Sequence, residues 1–167
     1  MQSRMNHPAM IIPEAMTALH TLGKATELSG AAAKASGLAE LRVGQLNGCS
    51  VCVDMHARLL KMGGESEERI FAVGAWRDAP YFSDAERAAL ALAAAVTCLS
   101  DRADPVPDAV WNEAARQFTE PELARLLLRI ALVNFWTRLN IATRQVAGEW
   151  MKSAEARKWV EQAAAQR

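Results

Sequence analysis

The sequence predicts an all-α protein, organised as a single domain over residues 1–167. Of the 167 residues 51% are hydrophobic but only 6% are aromatic, so the core must be built largely from Ala, Leu, Val and Met. Ala and Leu are strong helix formers. Apolar residues recur at helical spacing along the chain, whereas no useful stretch alternates apolar and polar residues as a strand would.

Eight helices are expected, separated by Gly, Pro and Asn-Gly breaks. Pro13 opens the first helix, Gly30 is expected to stop it, and Asn47-Gly48 marks a turn before the third. Gly63-Gly64 ends the third helix and Ser66 caps the fourth. The expected helices cover about residues 13–29, 36–46, 50–62, 66–76, 83–99, 108–118, 119–142 and 149–165.

Two capping boxes mark the starts of the fifth and seventh helices. In Ser83-Asp84-Ala85-Glu86 and in Thr119-Glu120-Pro121-Glu122, a hydroxyl residue is followed three positions later by Glu. The hydroxyl accepts an early backbone N–H of the helix, and the Glu carboxylate reaches back to the N–H of the cap. These helix starts are therefore predicted from side-chain chemistry as well as from periodicity.

The charge balance excludes one class of partner. Lys and Arg together number 19, as do Asp and Glu, so the formal net charge is +0. Proteins that bind nucleic acids usually carry a basic excess or a basic stripe, and the sequence has neither. We therefore expect no nucleic-acid partner and interpret the scattered charges as solvated helix faces.

The sequence also predicts a cytoplasmic location without a membrane segment. The first ten residues are polar and contain Pro8, so they lack the apolar run of a secretory signal. The most apolar stretch, residues 123–141, is interrupted by Arg125, Arg129 and Arg138. It is therefore expected to be a buried helix, covered in part by another subunit of a homo-oligomer. Three cysteines, two of them close together, do not form a secreted disulfide framework.

The residues that carry chemistry lie between Asn47 and His56, where a C-x-x-C motif is followed by x-x-x-H. Cys49, Cys52 and His56 occupy positions i, i+3 and i+7, so a helix places all three on one face. Cys52 and His56 are one turn apart, within reach of a direct or water-bridged hydrogen bond. Cys49, at the helix start where the backbone can bend, can approach Cys52 closely enough for a disulfide.

This arrangement favours thiol redox chemistry. A helix N-terminus stabilises a thiolate, and a neighbouring His can take up the thiol proton. A thiolate attacked by a peroxide becomes a sulfenic acid, and a second Cys converts it to a disulfide before further oxidation. Cys49, Cys52 and His56 thus supply a nucleophile, a resolving partner and a base.

Three other interpretations of these residues remain open. They could bind Zn²⁺, although a structural zinc site needs a fourth ligand, and Cys98, His7 and His20 stand in no recognisable partner motif. A thioredoxin-like motif is disfavoured because no βαβ pattern surrounds the C-x-x-C. The three side chains could also simply be buried, as expected for Cys98 in its Ala-rich helix.

The sequence resembles the carboxymuconolactone decarboxylase superfamily, in its alkylhydroperoxidase D-like (AhpD-like) branch. The likeness is tightest between Glu40 and Leu90 and extends over nearly the whole chain. The matching segments are residues 40–56, 63–65, 68–70, 76–80, 82–83, 86–90, 118–120 and 134–139. The resemblance implies an AhpD-like helical bundle assembled as trimers or hexamers, with a peroxidase or general disulfide-reducing activity in antioxidant defence.

The resemblance also implies roles for individual residues. Cys52 would meet the peroxide, Cys49 would resolve the sulfenic acid, and His56 would relay protons. The family's relay also uses an acidic residue three positions before Glu40, where this chain has Gly37. Because Glu40 is one helical turn further on, we expect it to complete the relay from the preceding helix; the alternative is an exposed residue that forms a salt bridge.

The expected reaction is the reduction of a small hydroperoxide at Cys52, followed by disulfide formation with Cys49. A dithiol reductant, for which the family suggests a protein bearing dihydrolipoyl groups, would then restore both thiols. Neither a bound cofactor nor a metal is needed. Two alternatives remain: a lactone decarboxylase, whose acid–base reaction needs no cysteines, and a non-enzymatic redox sensor whose disulfide changes its assembly.

Overall fold

Residues 2–101 and 103–152, the part of the chain that this computed structural model describes, contain eight α-helices and no β-strand. The α-helices are α1 (Pro8–Ile11), α2 (Pro13–Ala25), α3 (Gly30–Leu46), α4 (Ser50–Met62), α5 (Glu67–Ala72), α6 (Asp84–Thr97), α7 (Asp108–Gln117) and α8 (Glu120–Ala142). Short 3₁₀ turns are formed by Val73–Ala75, Leu99–Asp101 and Glu149–Lys152. The predicted all-α fold class is confirmed.

The boundary between the first two long helices differs from the predicted one. α2 ends at Ala25, because the hydroxyl of Thr26 donates to the carbonyls of Leu22 and Gly23 at 3.0 and 2.9 Å. Gly30, expected to stop the preceding helix, instead begins α3. Its φ of +57° lies in the left-handed region that glycine adopts without strain, which lets the chain turn sharply into α3.

Two further differences lie near the ends of the described chain. α1 precedes the first predicted helix: Pro8 takes its first position, and His7 Nδ1 accepts the N–H of Ala9 at 3.2 Å. At the other end, the helix predicted over residues 149–165 begins as the 3₁₀ turn Glu149–Lys152. Its remaining residues lie outside the described part of the chain.

The helix starts predicted from capping residues are confirmed. Ser83 and Glu86 form a complete capping box at α6, as Thr119 and Glu122 do at α8. The Ser66 hydroxyl caps α5 by accepting the N–H of Arg69. Local side-chain chemistry thus sets these three starts, independently of the tertiary packing.

α3 is the central helix, and ten of its 17 residues are buried. One apolar cluster, which includes Ala39 and Val43 of α3, packs against α6, α7 and α8. A second cluster, with Leu38 and Leu41 of α3, packs against α4, α5 and α6. Because α3 has apolar neighbours on both sides, a polar side chain in its middle is buried as well and needs partners of its own.

Gly44 allows α3 and α4 to approach each other beside the cysteines. A Cβ atom on this residue would lie 3.2 Å from Cys52 Cβ and 3.3 Å from the backbone N of Val53. The carbonyl of Gly44 also accepts the N–H of Cys49 at 3.0 Å. The absence of a side chain at position 44 therefore sets the distance at which the start of α4 packs against α3.

We predict that Gly44→Ala destabilises the protein even though alanine is the better helix former. The gain in helix propensity is about 1 kcal/mol, whereas overpacking against helix backbone costs about 1–3 kcal/mol. Gly23→Ala is the matched control, since its Cβ would lie 3.8 Å from the side chain of Leu132, an ordinary contact. Urea unfolding of the oxidised proteins measures both; equal stabilities for the two variants would refute the close-approach argument.

Candidate active site

A disulfide bond joins Cys49 and Cys52 at the start of α4. Cys49 is the N-cap residue and has an extended backbone, and Cys52 follows in the first turn, with a Cα–Cα distance of 5.3 Å. Gly48 precedes them with a φ of +66°, which supplies the turn out of α3. Both cysteines are only 1% exposed. The sequence-based expectation that this pair can bond is met by the local backbone.

Each sulfur atom of the pair faces a hydrogen-bond donor. The backbone N–H of Cys52 donates to Cys49 Sγ at 3.2 Å, so Cys49 Sγ occupies the capping position at the positive end of the α4 dipole. The side-chain amide of Asn140 on α8 donates to Cys52 Sγ at 3.5 Å. In the reduced protein these donors would stabilise negative charge on either sulfur.

His56 lies one turn after Cys52 on α4 and is buried. Its Nδ1 atom is 3.2 Å from Oε2 of Glu40 on α3. The imidazole is therefore oriented by a carboxylate on the neighbouring helix. A carboxylate at Nδ1 fixes the ring position and leaves Nε2 as the nitrogen that can exchange a proton.

Glu40 is buried and has polar contacts from three helices. Its Oε1 atom accepts hydrogen bonds from Arg129 Nε of α8 and from the Ser36 hydroxyl of α3, the latter at 3.0 Å, and its Oε2 faces His56 of α4. Because Glu40 is 2% exposed, the alternative of an exposed surface residue is wrong.

The charge of Glu40 is set by opposing effects. Burial raises the pKa of the Glu40 carboxyl, but the Arg129 charge and the contact with His56 outweigh it, and the pKa lies well below its usual range. The Glu40 charge in turn raises the pKa of Arg129 against the effect of burial. Glu40 and Arg129 therefore form a buried ion pair behind His56.

Sequence reasoning missed three residues that complete this arrangement: Ser36, Arg129 and Asn140. In the sequence, Arg129 stands out only as an interruption of an apolar stretch. Its position is the available signal, since Leu126, Ile130 and Val133 on the same side of α8 are all buried. An arginine on the buried side of a helix requires an anionic partner in the core.

Other polar residues of the sequence have structural contacts. The side chain of Asn134 is buried and bonds to Asn47 at 3.0 Å and to Thr97 at 3.1 Å. Asp54 pairs with Arg58 and accepts a hydrogen bond from Trp150 at 3.1 Å. These contacts tie α8 and the 3₁₀ turn at residues 149–152 to the region around α4.

The remaining candidate ligands do not gather around the disulfide. Cys98 is half-buried at the end of α6 and is not part of the disulfide. His20 is exposed, while His7 is half-buried with its ring 5.2 Å from that of Trp136. Within the described residues, no cluster of three or more His, Cys, Asp or Glu side chains is placed to hold a metal ion.

None of the helices within residues 2–101 and 103–152 combines the length and the hydropathy that crossing a lipid bilayer requires. The arginines that interrupt the long apolar helix α8 differ in their surroundings. Arg125 is exposed, whereas Arg129 reaches the buried Glu40.

The fold and the site together define a class: all-helical proteins in which a buried C-x-x-C disulfide at a helix start adjoins a histidine–carboxylate pair. Residues 13–95 match the carboxymuconolactone decarboxylase family. The protein belongs to this family, in its AhpD-like branch. The resemblance found in the sequence is confirmed.

Two bacterial relatives share about a third of their aligned residues with this chain. The uncharacterized protein YdfG of Bacillus subtilis (strain 168) is 33% identical over 132 residues, which span 79% of this chain and 88% of YdfG. The uncharacterized protein YnjA of Escherichia coli (strain K12) is 33% identical over 105 residues. That match spans 63% of this chain and only 56% of YnjA.

Solved structures support the fold assignment. ATU0492 from Agrobacterium tumefaciens, a protein of unknown function with a suggested role as the antioxidant defence protein AhpD, superimposes with a TM-score of 0.79 at 30% identity. The superposition covers 87% of this chain and 98% of ATU0492. The debrominase Bmp8, in complex with 2,3,4-tribromopyrrole, gives a TM-score of 0.70 at 17% identity, over 92% of this chain and 79% of Bmp8. This second likeness concerns the fold alone.

We predict that Glu40→Gln lowers the free energy of unfolding at neutral pH by about 3–5 kcal/mol, because it leaves the Arg129 guanidinium buried beside a neutral amide. Glu113→Gln is the control: Glu113 pairs with Arg116 on the exposed side of α7, where the loss of an ion pair changes stability little. Urea unfolding of the oxidised proteins compares them. Equal losses in the two variants would contradict the buried ion pair.

The same variant should change how stability depends on pH. Since the folded chain lowers the pKa of Glu40, this carboxylate contributes fully above its unfolded pKa of about 4.3, and the contribution is lost as the pH falls through the folded value. The wild type should therefore lose part of its advantage over Glu40→Gln below about pH 4.3. Unfolding measured through that range tests the sign; an advantage that grows on acidification would be inconsistent with it.

Proposed function

We propose that this protein is a thiol-dependent peroxidase and disulfide oxidoreductase that reduces small hydroperoxides in antioxidant defence. The observation that carries the proposal is the Cys49–Cys52 disulfide at a helix start, beside His56 and its Glu40 partner. Membership of the AhpD-like branch supports the same chemistry. We further propose that the chain acts as a single domain in the cytoplasm.

In the proposed first step, Nε2 of His56 takes up the proton of the Cys52 thiol. The resulting thiolate attacks the terminal oxygen of a hydroperoxide, the O–O bond breaks, and the leaving alkoxide takes that proton from His56 to become an alcohol. Cys52 is left as a sulfenic acid. The Asn140 amide, 3.5 Å from Cys52 Sγ, is placed to stabilise the thiolate.

In the second step, His56 takes up the proton of the Cys49 thiol, and the Cys49 thiolate attacks the Cys52 sulfur. The S–S bond forms, the S–O bond breaks, and the hydroxide leaves as water with the proton from His56. Cys49 is suited to this step because its Sγ lies at the positive end of α4 and accepts the Cys52 N–H. The oxidised pair is the disulfide that the structure contains.

A dithiol must return two electrons to close the cycle. One of its sulfurs attacks one sulfur of the Cys49–Cys52 disulfide, which forms a mixed disulfide and releases the first protein thiol. Its second sulfur then attacks the mixed disulfide, which releases the second protein thiol and leaves the reductant as a disulfide. We propose a protein bearing dihydrolipoyl groups as the reductant. No cofactor bound to this chain is required for the cycle.

The first test is to count thiols before and after a stoichiometric pulse of hydroperoxide. We expect the reduced wild type to lose two thiols, and Cys49→Ser to lose one while forming a sulfenic acid at Cys52. Cys52→Ser should react only at the background rate, and Cys98→Ser, the matched control, should behave as the wild type. His56→Asn should slow the loss by about 100-fold, the typical contribution of a positioned base.

Two results would contradict this assignment. Wild-type rates in Cys52→Ser would show that the nucleophile lies elsewhere. One stoichiometric oxidation without turnover in the presence of a dithiol, accompanied by a change in oligomer size, would favour a redox sensor. Continued peroxide consumption that stops when the dithiol is exhausted is the result we expect.

We also propose that the protein is a homo-oligomer, a trimer or a hexamer. α2 has no buried residue although it is amphipathic, and large apolar side chains are exposed on α8. Leu128 and Phe135 of α8 are 46% and 44% exposed. They flank Leu132, whose side chain faces Gly23 of α2, so these apolar residues form one continuous face.

We predict that Leu128→Glu and Phe135→Glu reduce the mass measured by analytical ultracentrifugation, because assembly would bury an unpaired carboxylate. Phe71→Glu is the control, since Phe71 is 77% exposed on α5, outside the α2–α8 face. It should leave the mass unchanged. A wild type that sediments as a monomer would contradict the proposal.

A further inference from the structure

We propose that Arg129 is a positioning residue for this thiol site: it holds the Glu40 carboxylate in the geometry from which Glu40 orients His56. The inference rests on the proposed function, which it deepens. Arg129 contacts neither cysteine in the described contacts, and acts through two intermediates on two other helices. Arg129 of α8 contacts Glu40 of α3, and Glu40 contacts His56 of α4, which lies one turn after Cys52 on the same helix.

The division of the two carboxylate oxygens is the geometric basis of this role. Oε1 of Glu40 accepts from Arg129 Nε and from the Ser36 hydroxyl, whereas Oε2 faces His56 Nδ1 at 3.2 Å. Two donors on one oxygen fix the rotation of the carboxylate. Its second oxygen is thereby aimed at the imidazole. Without Arg129, Oε1 would lose the one of these two donors that comes from another helix, since Ser36 lies one turn earlier on α3 itself.

The charges around Glu40 give the second argument. The groups that face it include Arg129 from α8, His56 from α4 and Ser36 from α3, and Glu27, between α2 and α3, acts on Arg129 from a distance. Burial favours the neutral carboxylic acid, and the Arg129 charge, together with the contact with His56, outweighs this preference. Arg129 therefore favours the ionised carboxylate, whose Oε2 can accept a hydrogen bond from Nδ1–H of His56.

The protonation state of Glu40 controls which nitrogen of His56 can act as the base. An ionised Glu40 accepts a hydrogen bond from Nδ1–H, and the lone pair is then on Nε2. A protonated Glu40 would instead donate to Nδ1, and the ring proton would sit on Nε2. In that tautomer His56 cannot take up the thiol proton of Cys52.

A merely structural role explains Arg129 less well. A buried ion pair adds little net stability compared with apolar side chains of similar size, and Arg129 is flanked on α8 by the buried apolar residues Leu126, Ile130 and Val133. Arg125, one turn earlier on α8, is exposed and shows that an arginine on this helix need not point inward. The inward charge is accounted for by the carboxylate that it holds.

The test compares Arg129→Met with Arg129→Lys, which keeps the charge, and with Arg125→Met as the matched control. The Glu40 carboxyl is followed by ¹³C NMR and the His56 ring by ¹⁵N NMR in the reduced protein. In Arg129→Met we expect the pKa of Glu40 to rise and, at each pH where Glu40 is then protonated, the neutral ring of His56 to carry its proton on Nε2. Arg129→Lys should largely restore both signals.

A second measurement reports on the thiol without requiring peroxidase activity. In a Cys49→Ser, Cys98→Ser background, Cys52 alone reacts with iodoacetamide. Measured across the pH range, Arg129→Met should lower the alkylation rate wherever Glu40 is protonated, because His56 then cannot take up the thiol proton, and the rate should recover as the pH rises and Glu40 ionises. The control Arg125→Met should follow the parent protein.

An unchanged His56 tautomer and alkylation profile in folded Arg129→Met would overturn the inference. If that variant does not fold, the inference is tested with Arg129→Lys and by comparing Glu40→Gln with the double variant Glu40→Gln/Arg129→Met. Once Glu40 is Gln, replacing Arg129 should change the alkylation profile no further, and an additional loss would mean that Arg129 does not act through Glu40. Failure of peroxide turnover, with these results intact, would remove the proposed function and leave the positioning role standing.

Discussion

The buried carboxylate of Glu40 is the constraint on which the site depends. It lies on the most buried helix of the described chain, and each of its oxygens is held by a group that another helix supplies. An anion in such surroundings is stable only with full compensation, which fixes the positions of Arg129 on α8 and His56 on α4. Polar contacts as well as apolar packing thus fix the positions of the three helices relative to one another.

The sulfur chemistry depends on a second constraint, the approach of α4 to α3. Gly44 lets the backbone of α4 come within contact distance, and its carbonyl accepts the N–H of Cys49. Cys49 is thereby held as the N-cap, with Cys52 one turn further on. The same approach brings His56 to the level of Glu40, because the two cysteines and the histidine share one face of α4.

Much of this could be predicted from the sequence, because the relevant signals are local. The C-x-x-C spacing, the histidine one turn later and the capping residues at Ser83 and Thr119 all act within one or two helical turns. Arg129 and Asn140 could not be assigned roles in this way, since their partners Glu40 and Cys52 are about 90 residues away in sequence and are met only after α8 packs on α3 and α4. The prediction that Gly30 stops a helix is wrong because a glycine at positive φ can begin a helix as readily as end one.

The alternation of positive and negative groups in the site explains how a site this buried can serve two redox states. In the disulfide form, the charges of Arg129 and Glu40 cancel each other. In the reduced form, transfer of the Cys52 proton to His56 would give alternating charges: guanidinium, carboxylate, imidazolium and thiolate. Both states are neutral overall, so neither leaves an uncompensated charge in the core, where its desolvation would be most costly. Removing Arg129 would leave a net negative charge in both states, which a buried site relieves by protonating its most basic anion.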